Sequence, residues 1–194
     1  MKKKLLFTIL LSALFTTLAL GQSIKVGIGG GYTALTGDNS FTAEDALNLN
    51  SGIHYGGKLL VSLPILPIQF AANIYNNPLS SEYTEPITNT TITTESSFLS
   101  VGIGAEFTLI PGPIQPYLAG ELLYTSFGET TMNGFTVGEA ESKTGFGIGA
   151  GIYFKLLPVI NLDLSGHYNM NTLLSDGDAL NSTHVRLNVL FSIL

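Results

Sequence analysis

Tyr153-Phe-Lys-Leu-Leu-Pro-Val-Ile-Asn-Leu162 is an alternating apolar segment, a short break at proline, and a second alternating segment. The same pattern stands at Leu59-Leu-Val-Ser-Leu-Pro-Ile-Leu-Pro-Ile-Gln-Phe70 and at Phe107-Thr-Leu-Ile-Pro-Gly-Pro-Ile-Gln-Pro-Tyr117, with Pro64, Pro111 and Pro158 spaced 47 residues apart. Period-two alternation marks a strand with one apolar face, and Pro or Gly between two such runs marks a tight turn. The chain therefore uses a tight hairpin three times, with a longer excursion between uses. Tight turns at one end and long connections at the other build an up-and-down barrel with two unlike ends, which points to a membrane.

Working outward, eight segments alternate: 24–35, 53–63, 68–75, 99–109, 114–127, 146–156, 160–170 and 185–193. Most are about ten residues long, which suits a tilted strand crossing the hydrocarbon layer. An even number of strands puts both chain ends on one side, together with the three short turns, which in an outer membrane is the periplasm. The four long connections, roughly 36–51, 76–97, 128–144 and 171–183, then face outward. They hold most of the acids: Asp38, Glu44, Asp45, Glu82, Glu85, Glu95, Glu129, Glu139, Glu141, Asp176 and Asp178. The Thr- and Ser-rich stretch 88–97 either extends a hairpin beyond the membrane or stays mobile.

Composition narrows the class. Residues 1–21 begin with Lys2-Lys3-Lys4, continue through an apolar run and end in Ala19-Leu20-Gly21, the form of a secretory signal peptide cleaved before Gln22. Residues 22–194 are one domain. No later run is long and apolar enough for a membrane helix. Yet only 11% of residues are charged and 45% are hydrophobic, against about 25% charged in a soluble domain. A membrane barrel reconciles the two, because its apolar residues occupy every second position. There are no Cys, so neither disulfides nor thiol chemistry is expected. Without the signal, five basic residues face fourteen acids, a net of −9, and the basic footprint of a nucleic-acid binder is absent.

Pro64, Pro67, Pro111, Pro113 and Pro158 fall in the short turns, where a missing donor costs least. Pro116, two residues into the fifth segment, is read as lying below the hydrogen-bonded barrel. Aromatics form two bands. Tyr32, Tyr55, Phe98, Tyr124, Phe146 and Tyr168 lie toward the loops, and Phe70, Phe107, Phe154 and Phe191 toward the turns. Such bands resemble the girdles at the two lipid interfaces.

The alternate positions are polar or small, and are expected to fill the lumen of an eight-stranded barrel. They include His54, Lys58, Gln69, Asn73, Glu106, Tyr117, Glu121, Tyr153, Asp163, Ser165, His167, Arg186 and Asn188. An unpaired charge there is strongly destabilising, so Lys58, Glu106, Glu121, Lys155, Asp163 and Arg186 are expected to form a lumenal salt-bridge network. The inverse arrangement, a secreted soluble barrel with apolar residues inside, explains the alternation but not the many Gly and few charges on its water face.

The whole of residues 22–194 resembles the small eight-stranded outer-membrane barrels of diderm bacteria, the OmpA transmembrane-domain and OmpX-like families. The resemblance is one of architecture and extends to the last strand, Thr183-His-Val-Arg-Leu-Asn-Val-Leu-Phe-Ser-Ile-Leu194. In those families a C-terminal strand ending in an aromatic is read by the barrel-insertion machinery. Here the chain ends in Leu194 and the aromatic is Phe191. No cell-wall-binding domain follows, so an OmpA-like tether is not expected. The resemblance implies an all-β, antiparallel up-and-down transmembrane barrel in the outer membrane, surrounded by its lipid.

Enzymatic signals are weak. Asp163, Ser165 and His167 share a face, but alternate strand residues stand about 7 Å apart and point into the lumen, so they read as polar filling and not as a lipid A-modifying triad. His184, heading the last strand, is expected to be solvated. Gly27-Ile-Gly-Gly-Gly31 and Gly145-Phe-Gly-Ile-Gly-Ala-Gly151 lack the helix that a nucleotide loop requires. Asp176-Gly-Asp178 lacks the remaining ligand spacing of a calcium loop, although weak divalent-cation binding by the acidic loops stays open. No catalytic residue, metal or cofactor is expected. The leading expectation is a non-enzymatic barrel with a structural or surface-interaction role, engaging an extracellular partner through its acidic loops. A narrow passive pore or small-ligand channel, and a lipid A-modifying enzyme, are the alternatives.

Overall fold

Alternation at period two becomes ten strands in the computed structural model: β1 (Ser23–Thr36), β2 (Ser51–Ser62), β3 (Ile68–Thr84), β4 (Thr91–Thr108), β5 (Ile114–Phe127), β6 (Thr130–Met132), β7 (Phe135–Gly138), β8 (Glu141–Leu157), β9 (Ile160–Asn171) and β10 (Leu180–Ser192). Residues 23–36, 49–63, 66–85, 89–171 and 180–193 are described. The expected signal peptide, Pro64, Asp38, Glu44, Asp45, Asp176, Asp178 and Leu194 lie outside them. There is no helix among the described residues.

Eight of the strands close an antiparallel barrel in the order β3-β2-β1-β10-β9-β8-β5-β4, sealed by the β3–β4 pair. Each of the eight alternating segments falls on one of these strands. The register gathers like with like: Val26 faces Phe191 and Leu59, while the neighbouring Gly27 faces Leu190 and Lys58. A one-residue slip would exchange the two faces, so the apolar pattern specifies the pairing. Side chains such as Ile28, Ile53, Ile103 and Leu122 are 61–71% exposed on the outside, whereas Lys58, Glu106, Asp163 and Arg186 are buried inside. An apolar exterior around a polar interior reverses the order of a soluble barrel.

Strand lengths explain the unlike ends. On the turn side, strands are joined by short connections held by Leu63 N to Ile68 O (3.3 Å) and Leu109 N to Pro116 O (2.8 Å). On the loop side, the last β2–β3 pair is Tyr55–Asn76 and the last β4–β5 pair is Phe98–Phe127. β3 and β4 continue past both neighbours and pair with each other as far as Thr84 and Thr91. At about 3.4 Å per residue, this hairpin projects on the order of 25 Å beyond its neighbours. The Thr-rich stretch therefore extends a hairpin, turned by Asn89 at φ 51°. β6 adds to it through Thr94–Met132 and Glu95–Thr131. β6 and β7 turn on Asn133 and Gly134, at φ 50° and 84°, the left-handed pair a two-residue hairpin demands. Asn133 clips the turn to β4: its N donates to Thr93 O and its Oδ1 accepts from Thr93 N, both at 2.9 Å.

Two expectations are corrected here. Pro116 is not below the ladder, because β5 already pairs with β8 from Ile114–Phe154. Its carbonyl accepts from Leu109, so its ring nitrogen also faces β4, beyond the last β4–β5 pair, Thr108–Tyr117, where no donor is needed. Phe98 is not on the lipid face. It is 2% exposed and packs inside against Phe127, ring centroids 5.3 Å apart. Leu99 takes the outward position, and adjacent strand residues point to opposite faces. Of the other aromatics, Tyr32, Tyr55, Phe70, Phe107, Tyr124, Tyr168 and Phe191 are exposed outside, and Phe146 and Phe154 are half-buried.

Candidate functional site

The lumen is filled in tiers. In the tier nearest the turns, Lys58 on β2 lies 2.6 Å from Glu106 Oε1 on β4 and 2.7 Å from Asp163 Oδ2 on β9. It also donates to Tyr153 Oη at 3.0 Å. Tyr117 donates to Asp163 Oδ1 at 2.6 Å, Tyr153 to Glu106, and Asn188 Nδ2 to Asp163 Oδ2 at 3.1 Å. The rings of Tyr117 and Tyr153 stack, centroids 4.5 Å apart, with the Lys58 ammonium 5.2 Å from each. One cation thus holds two carboxylates, with phenols taking up the remaining lone pairs. A buried charge needs this degree of satisfaction to be tolerated. Gly151 makes room for it, because a Cβ there would lie 2.5 Å from the Tyr117 ring.

One tier further out, Glu121 on β5 accepts from Asn73 Nδ2 at 2.8 Å and from Arg186 Nη1 at 3.4 Å, and lies 3.3 Å from His167 Nδ1. The Arg186 guanidinium sits over the Tyr75 ring, 4.7 Å from its centroid. Tyr75 in turn donates to Asn188 Oδ1 at 2.7 Å, tying this tier to the one below. Gly147 again clears space, since a Cβ there would meet Asn169 Oδ1 at 2.5 Å and Glu121 Cγ at 2.9 Å.

Above this stands a tier centred on Thr33. Its hydroxyl donates to Asn77 Oδ1 at 2.8 Å and contacts the Nδ1 atoms of His54 and His184 at 2.8 and 2.9 Å. A hydroxyl has one proton and two lone pairs. With its proton given to Asn77, both imidazoles must donate from Nδ1. The Nε2 of His184 is hydrogen-bonded to the Ser182 hydroxyl, 2.8 Å away. At the loop end the filling turns apolar: Leu35, Leu49, Leu79, Phe98, Phe127 and Leu180 form one buried cluster. From the Lys58 tier to this plug, each tier is occupied by buried side chains.

Of the six charges expected to share one network, the fold brings Lys58, Glu106 and Asp163 together, and separately Glu121 with Arg186. Lys155 joins neither. It keeps its pair with Asn161 and its lumenal parity, but it is exposed at the open turn end, below the Lys58 tier. Asp163, Ser165 and His167 do line one strand inside, but Asp163 is taken by Lys58, Tyr117 and Asn188, while His167 lies against Glu121. No hydrogen bond links the three. His184 is not solvated: it is 1% exposed, because β10 begins four residues earlier, at Leu180, and carries it below the plug. The Thr33 tier and the plug were not read from the sequence, although Thr33, Leu35, Tyr75, Phe127 and His184 all have lumenal parity.

Solved structures share this architecture. Neisserial surface protein A superposes with a TM-score of 0.62 at 16% identity, over 89% of this chain and 99% of that one. The outer membrane protein OprG from Pseudomonas aeruginosa superposes with a TM-score of 0.50 at 10% identity, over 88% and 94%. A comparison with curated proteins found no match. The family model described as outer membrane protein beta-barrel domain matches residues 7–191. An apolar-outside, polar-inside barrel of eight strands and a family match over nearly the entire sequence lead to one statement: the chain belongs to the outer membrane protein beta-barrel domain family and is an outer-membrane protein.

Proposed function

We propose that this protein is a non-enzymatic surface-interaction protein, anchored by its barrel and engaging an extracellular partner through its loop end. The observation that carries this reading is the contrast between the two regions. The lumen is packed from the Lys58 tier to the apolar plug, whereas β3, β4, β6 and β7 rise beyond the barrel with Tyr83, Phe135 and Val137 exposed. Those three are 56%, 75% and 51% accessible. Aromatic and aliphatic groups on a rigid sheet, rimmed by charge, are the anchors that protein interfaces use. The exposed acids around them, Glu82, Glu95, Glu129 and Glu139, favour a basic partner and disfavour nucleic acid.

In this reading the exposed Tyr and Phe bands set the barrel against outer-membrane lipid, the signal peptide is removed on export, and the last strand is read by the insertion machinery. The test is binding of bacteria displaying the protein to basic extracellular-matrix proteins, with and without the segment 130–138. The reading predicts salt-sensitive binding that is lost with the segment while the barrel still inserts. Equal binding by the shortened protein contradicts it.

A further inference from the structure

The turn end of the barrel is concave. A cup of about 840 Å³ opens there, floored by polar lumenal side chains and rimmed by the three short turns. Lys25, Lys155, Gln69, Gln115, Asn161 and Thr108 line it, and no acid does among the described residues. Two of the five basic residues of the mature chain therefore meet in one pocket of a protein whose mature charge is −9. Both side chains line the same cup, so one ligand can meet both.

Counter-charge lies one tier further in, where Lys25 reaches to 5.5 Å from the Tyr153 ring centroid. The nearest buried acids, Glu106 and Asp163, are already held by Lys58 at 2.6 and 2.7 Å and by Tyr153, Tyr117 and Asn188. Three lysines against two carboxylates leave this part of the barrel with one uncompensated positive charge. Gln69 is bonded to Ser62 and Thr108, and the amides of Gln115 and Asn161 add further hydrogen-bonding groups to the lining. An oxyanion seated in the cup can accept charge-assisted hydrogen bonds from both ammonium groups.

We propose that this cup, on the periplasmic side, is a binding site for a small dianionic molecule carrying phosphate or carboxylate groups. Lys25 and Lys155 supply the charge, and Gln115 and Asn161 supply orientation. The volume admits a molecule with two anionic groups, not merely a single ion.

The test uses the full barrel in nanodiscs of zwitterionic lipid, so that anionic headgroups do not compete. Inorganic pyrophosphate and succinate are titrated in separate arms at constant ionic strength, while the side-chain amide NMR signals of Gln115 and Asn161 are followed. Saturable shifts with pyrophosphate alone assign a phosphate ligand, with succinate alone a carboxylate ligand, and with both a general oxyanion site. Each of Lys25→Gln and Lys155→Gln should weaken binding roughly tenfold, and Lys155→Glu should abolish it. Lys155 is exposed, so its variants keep the barrel, which heat-modifiable gel migration verifies. Shifts that grow linearly without saturation in both arms, or unchanged affinity in Lys155→Glu, overturn the proposal.

Discussion

Replacing Lys58 with Met keeps most of the side chain's volume and removes the charge that Glu106 and Asp163 share. Both carboxylates are at most 2% exposed, and their ion-pair distances to Lys58 are 2.6 and 2.7 Å. Deleting one partner of a buried pair costs about 3–5 kcal/mol, because the other charge is left uncompensated. Here two charges are orphaned by one substitution, which places Lys58→Met at the upper end of that range. The phenols of Tyr117 and Tyr153 soften the loss without replacing the cation. Rescue is expected as well: in Lys58→Met with Glu106→Gln and Asp163→Asn no charge remains, and most of the lost stability returns, since neutral isosteres often match a buried ion pair. Lys155→Met, at the exposed rim, should be silent. The assay is reversible urea unfolding in lipid vesicles; the chain has no Trp, so far-ultraviolet circular dichroism follows the transition. A Lys58→Met protein within about 1 kcal/mol of wild type, the range of a surface pair, would refute the argument.

Three further outcomes follow from the tiers. Thr33→Val removes the hydroxyl shared by His54, His184 and Asn77 and should cost about 1–3 kcal/mol in the same assay, while Thr33→Ser should restore nearly all of it. Phe98→Ala opens the apolar plug and should cost about 3–5 kcal/mol, a loss that a residue on the lipid face would not show. Gly134→Val forces a β-branched residue to φ 84°; it should leave barrel unfolding unchanged while weakening the surface binding proposed for the projecting sheet, read by the adhesion assay.

What was legible in the sequence is what period two encodes. Strand identity, the inner and outer faces and the side on which the turns lie all follow from alternation and from where Pro can stand. The failures have equally definite causes. Phe98 was placed by its height along the strand, but parity sends it inward. His184 was judged from the apparent start of the last segment, and four polar or apolar residues before it, beginning at Leu180, also pair. Lys155 has lumenal parity, but it stands at the open turn-end mouth, beyond the reach of the Lys58 tier. Salt-bridge partners were out of reach, because Lys58 and Asp163 lie on strands that do not pair with each other, and only the curvature of the closed barrel brings them together. The β6–β7 hairpin had a readable signal, Asn133-Gly134, in a segment too short to show alternation.

The barrel's lumen is filled and plugged, which leaves its two ends to meet other molecules. Single-channel recording of the folded protein in planar bilayers under molar KCl tests it directly. The filled lumen predicts no conductance steps at any applied voltage the bilayer tolerates. Stable, ohmic steps from the wild-type protein would contradict it, and would make the Lys58 tier and the Phe98 plug parts of a pore.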